Sequence, residues 1–299
     1  MATDSLADRV DEAVGAAVDA AFAELKAAEE EPYYDEAADQ SARESYYQGL
    51  DAADGEAMRA GLASLLERTH TQRPSYKPME MVYPRVDRHP DGLLRSIYSG
   101  RTFTPAELIR SDAEIERRRT ERMLEFNLSE TAPGPRELEA EAAAIEETLP
   151  YNCEHVVCQS WFGEDEPMRG DIHHLFACET GCNSFRSNYP YFDFPDTEEV
   201  TREACGRCED IGFEPGAGKG PVARATLYFL LRYPGLVGDP GHELTPDRLP
   251  ILLEWHEADP VSDYERHRNF VIHQLQGNRN PMIDNPDWAR RIDFAKAWV

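Results

Sequence analysis

The chain has 299 residues and a formal net charge of −26, from 57 acidic and 31 basic residues. That length can bury a sizeable core in one large domain or two small ones, and no apolar run approaches the ~20 residues of a membrane span. The acidic excess argues against binding a polyanion in dilute salt, an argument that fades near 1 M salt, where the Debye length falls to about 3 Å.

The excess is heaviest at the start, where the first sixty residues hold 16 Asp/Glu against 4 Lys/Arg. The opening MATDSLADRVDEAVG lacks the basic patch and continuous apolar stretch of a signal peptide, so a cytoplasmic location is expected, with export by another route left open. Residues 5–29 carry Leu6, Val10, Val14, Val18, Phe22 and Leu25 on an i, i+4 stripe, predicting an amphipathic helix that ends at Glu29-Glu30-Glu31-Pro32. Polar, Tyr-rich residues 33–50 predict a weaker helix. Residues 55–70 predict another, with Met58, Leu62, Leu65 and Leu66 on one face. The segment 1–54 thus reads as an acidic helical portion ahead of a continuous domain over 55–299.

From Ser75 to Arg101, short apolar runs broken by Pro and Asp-Gly predict strands and turns. Charged residues 104–148 predict two exposed helices about Pro133-Gly134-Pro135, the second being Glu137–Leu149. Farther on, 205–220 is rich in turn residues, Val222–Tyr233 is the most apolar helix, and Leu249–His256 and Asp263–Leu275 predict two more.

Chemistry concentrates between Tyr151 and Tyr191, which holds four of the six cysteines together with Glu154, His155, Asp171, His173, His174, Asn183, Arg186 and Asn188. Glu154 and His155 are adjacent, so on a strand they point to opposite faces, although at a strand end both can border one site. A carboxylate can hold a hard cation and an imidazole can take a proton from water near neutral pH. On a helix, Asn183 and Arg186 share a face, offering an amide oxygen and a fork suited to phosphate. The set suits metal-assisted hydrolysis of a phosphodiester. The plain alternative is scattered polar residues in a structural loop.

The motifs CEHVV, QSWFG, DIHHLF and NSFRSNYPY, in that order, resemble the active-site core of the bacterial endonuclease I family of ββα-metal (His-Me finger) nucleases. Flanking pieces extend the resemblance: SYKPM and LLRSIYSGR upstream, then GPVARATLYFLLRYPG, LLEWHEADPVSDYERHRN and QGNRNPMIDNPDW downstream. It implies a mixed α/β fold, a ββα-metal core at about 151–195 within a mostly helical domain over 55–299. It further implies an endonuclease that hydrolyses DNA with little sequence specificity, RNA being left open. His155 would be the general base, Glu154 and Asn183 the ligands of one Mg²⁺ or Mn²⁺, with Arg186 and Asn188 beside the scissile phosphate. Asp171 and His173 would orient the groups around that ion. A base must stay neutral, so an acceptor, such as a backbone carbonyl, is expected at the other ring nitrogen of His155.

The chain departs from the family pattern at Cys158 and at Ala177-Cys178, where the family has proline. The spacings Cys178-x₃-Cys182 and Cys205-x₂-Cys208 suggest a structural Zn²⁺ on four thiolates. Disulfides and free thiols remain as alternatives, and Cys153 or Cys158 could replace a member of the four. Asn278, Arg279 and Asn280 are candidate nucleic-acid contacts, or else a turn capping the preceding helix. Arg224, Arg232, Arg266 and Arg268 could line a groove for DNA. A rival reading is a catalytically silent, zinc-stapled module that binds nucleic acid or protein. A cytoplasmic nuclease endangers its own genome, which leaves an inhibitor protein as one expected partner. No membrane partner is expected, and the sequence does not give the oligomeric state.

Overall fold

The computed structural model describes residues 6–50, 54–128, 144–145, 148–195, 204–239 and 243–298. Helix α1 (Leu6–Glu30) follows the predicted stripe, burying Val10, Ala21, Leu25 and Ala28. Helix α2 (Glu36–Tyr46) starts where the Asp35 carboxylate accepts the Ala38 N–H at 3.0 Å, and α3 (Glu56–Thr69) buries Met58, Leu62, Leu65 and Leu66 as expected.

The stretch predicted as strands is partly helical. Pro78 opens a short helix, α4 (Pro78–Met81), at a position where its missing N–H costs nothing. The helix runs on as a π-helical turn over Val82–Val86, which buries Val82, Tyr83, Pro84 and Val86. Only β1 (Leu94–Arg95) and β2 (Thr102–Phe103) pair here, as a small antiparallel hairpin. Helix α5 (Pro105–Leu128) packs along α1. The second helix expected over Glu137–Leu149 falls mostly outside the described residues.

Strands β3 (Tyr151–His155) and β4 (Leu175–Glu179) form an antiparallel pair, and helix α6 (Thr180–Arg186) follows at once. The turn-rich region holds a third hairpin, β5 (Gly206–Glu209) with β6 (Gly212–Pro215). Helix α7 (Lys219–Arg232) buries twelve of its fourteen residues, so it is a core element, not an amphipathic one. Helices α8 (Leu249–Ala258) and α9 (Asp263–Gln276) match expectation. The latter begins with a reciprocal capping box between Ser262 and Glu265. A short α10 (Pro281–Asp284) is capped by Asn280.

Among the described residues the result is a helix-rich mixed fold with three two-stranded antiparallel sheets. Two hydrophobic clusters fill it. The larger surrounds α7 and takes in Met58, Leu62, Phe162, Tyr191, Phe213, Leu252, Trp255 and Phe294. The smaller joins α1, the Val82–Val86 turn and α5 to Val271 and Ile272 of α9. The β3–β4 pair stands between them: Phe176 and Cys178 enter the larger cluster, while Cys153, Leu175 and Ala177 enter the smaller. This is the period-two alternation of a strand with apolar packing on both faces. The acidic segment 1–54 is tied in through Arg279, whose guanidinium meets Asp39 at 2.6 Å and Asp284 at 2.8 Å.

Candidate active site

The register runs from Tyr151 opposite Glu179 to His155 opposite Leu175, so Glu154 and His155 occupy the last two paired positions of β3. Alternation puts Asn152 and Glu154 on the face of Phe176 and Cys178, and Cys153 and His155 on the other. The two key side chains therefore do straddle the strand.

Glu154 is only 2% exposed, and a buried carboxylate must be compensated. Its Oε1 accepts from the Tyr98 hydroxyl at 2.6 Å and from Arg186 Nη1 at 3.0 Å. Arg186 also donates to the carbonyls of His155 (3.2 Å) and Val156 (3.0 Å), and its guanidinium lies 5.1 and 5.5 Å from the rings of Tyr191 and Trp161. One turn earlier on α6, Asn183 Nδ2 donates to Asn152 Oδ1 at 3.2 Å. Asn183 and Arg186 thus dock the helix onto the strand face that carries Asn152 and Glu154. This corrects one expectation: Arg186 lies in the interior, clamping Glu154 and the end of β3, and does not sit at a surface awaiting phosphate. Asn188 is exposed in the turn after the helix.

His155 Nε2 lies 2.9 Å from the carbonyl oxygen of Arg169. A carbonyl only accepts, so Nε2 carries the proton and the lone pair is at Nδ1. Burial, reinforced by His174 and by Arg169 and Arg186, holds its pKa well below the ordinary imidazole value, so the ring is neutral at pH 7. The backbone acceptor expected for a neutral base is present. The Tyr76 ring lies 4.8 Å from His155 on one side, with the His174 ring at 5.4 Å. His174 is itself held by the Met168 carbonyl at 2.7 Å.

Asp171 caps the 3₁₀ turn Ile172–His174 by accepting the His173 N–H at 3.1 Å. Its carboxylate also accepts from the hydroxyls of Tyr228 (2.7 Å) and Tyr233 (2.9 Å) and from Gln276 Nε2 (2.8 Å). Burial opposes its ionisation, and His70, His173, His174 and Gln276 outweigh that, so it titrates below the usual carboxylate range. Asp171 thereby pins the turn that leads into β4 to helices α7 and α9. His173 packs 4.3 Å from the Tyr228 ring, where burial depresses its pKa to about 4 against the pull of Asp171.

The cysteine reading needs correction. Cys182 and Cys205 form a disulfide, so two of the four thiolates proposed for zinc are engaged in a covalent bond, while Cys178 and Cys208 are free thiols. Among the described residues, no cluster of three or more His, Cys, Asp or Glu side chains is arranged to hold a metal. The disulfide ties α6 to the residue before β5, stapling the helix that carries Asn183 and Arg186.

Asn278, Arg279 and Asn280 are also misread from sequence as nucleic-acid contacts, because all three are buried. Asn278 donates to the Tyr228 hydroxyl at 2.6 Å, and Asn280 caps α10 and donates to the Arg224 carbonyl at 3.0 Å. Three of the four arginines of the expected basic groove are likewise buried, while Arg266 stays partly exposed, 3.3 Å from Asp263. Arg224 forks onto Glu265 at 2.5 and 2.9 Å, Arg268 pairs with Asp87, and Arg232 is buried beside His70. Tyr98, Tyr191, Tyr76 and Arg169 had been given no role. Tyr76, Tyr98 and Tyr191 lie inside family-like motifs, which is their only signal in the sequence.

The donor set near Glu154 fits a hard divalent cation in kind. It offers one carboxylate and the amide oxygen of Asn183, whose NH₂ is turned to Asn152. Two protein ligands leave the remaining positions to water and substrate, as Mg²⁺ prefers.

The family model for Endonuclease I matches residues 55–287. The chain is 38% identical to the extracellular ribonuclease of Bacillus subtilis over 157 residues, covering 48% of this chain and 54% of that protein. It is 30% identical to an extracellular deoxyribonuclease of Aeromonas hydrophila over 129 residues, 40% of this chain and 52% of that one. Against a periplasmic deoxyribonuclease of the same organism the identity is again 30%, covering 40% and 50%. The chain spans about half the length of the curated relatives it matches. Those names place the relatives outside the cytoplasm, which overturns the cytoplasmic location expected from the first residues.

Proposed function

This chain belongs to the endonuclease I family, and on that premise we propose that it is an endonuclease hydrolysing the phosphodiester bonds of nucleic acid, with His155 as general base. The observation that carries the reading is the pairing of Glu154 with a His155 whose Nε2–H is spent on the Arg169 carbonyl, leaving Nδ1 to take a proton. In this scheme Nδ1 accepts a proton from water as the water oxygen bonds to phosphorus and the bond from phosphorus to the 3′ oxygen breaks. Glu154 and Asn183 would hold a Mg²⁺ or Mn²⁺, and that ion, when bound, supplies charge stabilisation for the phosphate and the departing oxygen. Arg186 pairs with Glu154 and fixes the orientation of its carboxylate. Together the β3–β4–α6 unit would form the ββα-metal core.

Chemistry of this kind reads the backbone, so weak base specificity is the default. The relatives' names include both ribonuclease and deoxyribonuclease, and both polymers are proposed as substrates. The disulfide suits an oxidising compartment and the relatives are named extracellular or periplasmic, which supports export. The net charge of −26 favours cleavage in salt high enough to screen repulsion.

The test is cleavage of supercoiled plasmid and of single-stranded RNA across a salt series, with Mg²⁺, Mn²⁺ or EDTA, beside His155→Ala. Metal-dependent cleavage lost in the variant is expected. No cleavage by the wild type at any salt, with either metal ion, overturns the reading.

A further inference from the structure

The imidazole of His155 is enclosed by two stretches of chain far apart in sequence, and one carboxylate joins them. Glu166 Oε1 accepts the Tyr76 backbone N–H at 3.2 Å, and Glu166 Oε2 accepts the Gly170 backbone N–H at 2.9 Å. Tyr76 supplies the ring 4.8 Å from His155, and its hydroxyl reaches back to the Cys153 carbonyl at 3.5 Å, two residues before the base. Arg169, next to Gly170, supplies the carbonyl that fixes the His155 tautomer. Its guanidinium lies 5.3 Å from the centre of the Tyr76 ring, a further tie between the two stretches. The approach is also close: a Cβ added at Gly170 would lie 1.9 Å from the Pro74 carbonyl oxygen, so residue 170 has room for glycine alone.

We propose that Glu166 is a positioning residue for His155, holding the tautomer-fixing carbonyl and the flanking aromatic ring in register with the imidazole. The proposal rests on the base role assigned to His155 above. Glu166 itself is exposed at the surface, and an exposed carboxylate spent on two backbone N–H groups is explained by what those groups carry. Without it the loop 166–170 and the segment 74–76 lose a shared anchor. The Arg169 carbonyl then drifts, and Nε2–H gives way in part to Nδ1–H, which is the wrong tautomer for proton abstraction at Nδ1.

The test combines kinetics with long-range ¹H–¹⁵N spectra of the histidine rings in the full chain at pH 7.5, the His155 signals being assigned with His155→Ala. Wild type is expected in the Nε2–H form. Glu166→Ala should show a mixture of tautomers, with kcat down about 10–100-fold, the usual cost of losing an outer hydrogen-bond partner, and KM within about twofold. Glu166→Gln keeps one acceptor and should fall between, and it serves as the readout if the alanine variant does not fold. Gly170→Ala should disturb the tautomer in the same direction. A His155 ring that stays wholly Nε2–H in Glu166→Ala and Glu166→Gln overturns the proposal, whatever happens to melting temperature. Should His155→Ala keep wild-type kcat, the base role fails on its own, and the tautomer spectra still decide whether Glu166 positions the ring.

Discussion

Replacing Arg186 with methionine keeps much of the side-chain volume and removes the charge. In the native protein its guanidinium is fully buried, meets the 2%-exposed Glu154 at 3.0 Å and donates to two backbone carbonyls. Taking one partner from a buried ion pair costs roughly 3–5 kcal/mol, because the remaining charge has lost both water and counter-ion. Here the Tyr98 hydroxyl still donates to Glu154 and the Tyr191 hydroxyl still donates to the Val156 carbonyl at 2.9 Å, which favours the lower half of that range. At roughly 2–4 °C per kcal/mol for a domain of this size class, the melting temperature should fall on the order of 10 °C. Circular dichroism melts of Arg186→Met, Glu154→Gln and the double variant measure this directly. Removing both charges should cost clearly less than the sum of the single losses, a coupling of 1 kcal/mol or more in order of magnitude. Strict additivity, or an Arg186→Met melt within about 2 °C of wild type, would refute the clamp. All three variants should be inactive.

Arg279→Met should unfold more readily by about 3–5 kcal/mol, since Asp39 and Asp284 would be left buried without their cation, while the affinity of the folded variant for oligonucleotide stays unchanged. Weaker oligonucleotide binding without a stability loss would restore the contact role. Exchanging Cys182 and Cys205 together for serine opens a link between positions 23 residues apart, for which chain entropy gives about 3 kcal/mol in urea titrations. No shift in the urea midpoint would show that the bond adds nothing. Acid should weaken the fold through His173, which titrates at about 4 when folded against 6.5 for the free side chain. Above pH 6.5 it is neutral in both states; between 6.5 and 4 only the unfolded chain takes the proton, so stability declines by about 3 kcal/mol across that window. His173→Gln should flatten the slope, and an identical slope in that variant would rule His173 out.

Much of the scaffold was legible because its signals are local. The i, i+4 stripe of α1, the apolar run of α7 and the Glu154-His155 pair ahead of Asn183 all stand in the chain order that the structure uses. The misreadings share a cause: a side chain's partner is chosen by the fold. Arg186, Arg224, Arg268 and Arg279 look like surface cations until Glu154, Glu265, Asp87 and Asp39 are brought to them from elsewhere. QGNRNP reads as a polar surface turn, yet its amides and guanidinium satisfy the buried junction of α7, α9 and α10. The Cys-x₂-Cys spacing at 205–208 drew attention to zinc, while the bond joins Cys205 to a cysteine in another motif. Residues 78–86 are helical because Pro78 suits the first helical position and the apolar side chains after it have α1 and α5 to bury against.

The β3–β4 pair, which stands between the two hydrophobic clusters, has a consequence for how such a site can change over time. Glu154 and His155 are joined by one peptide bond, and their separation is set by covalent geometry and strand pairing, not by loops or side-chain packing. On the strand itself Glu154 shares its face with Phe176 and Cys178 of the larger cluster and His155 shares its face with Cys153, Leu175 and Ala177 of the smaller, so the packing along one face can change while the other face of the strand stays as it was. A chain arranged in this way can alter the surroundings of its proton acceptor and of its carboxylate one at a time, without lengthening the step between them.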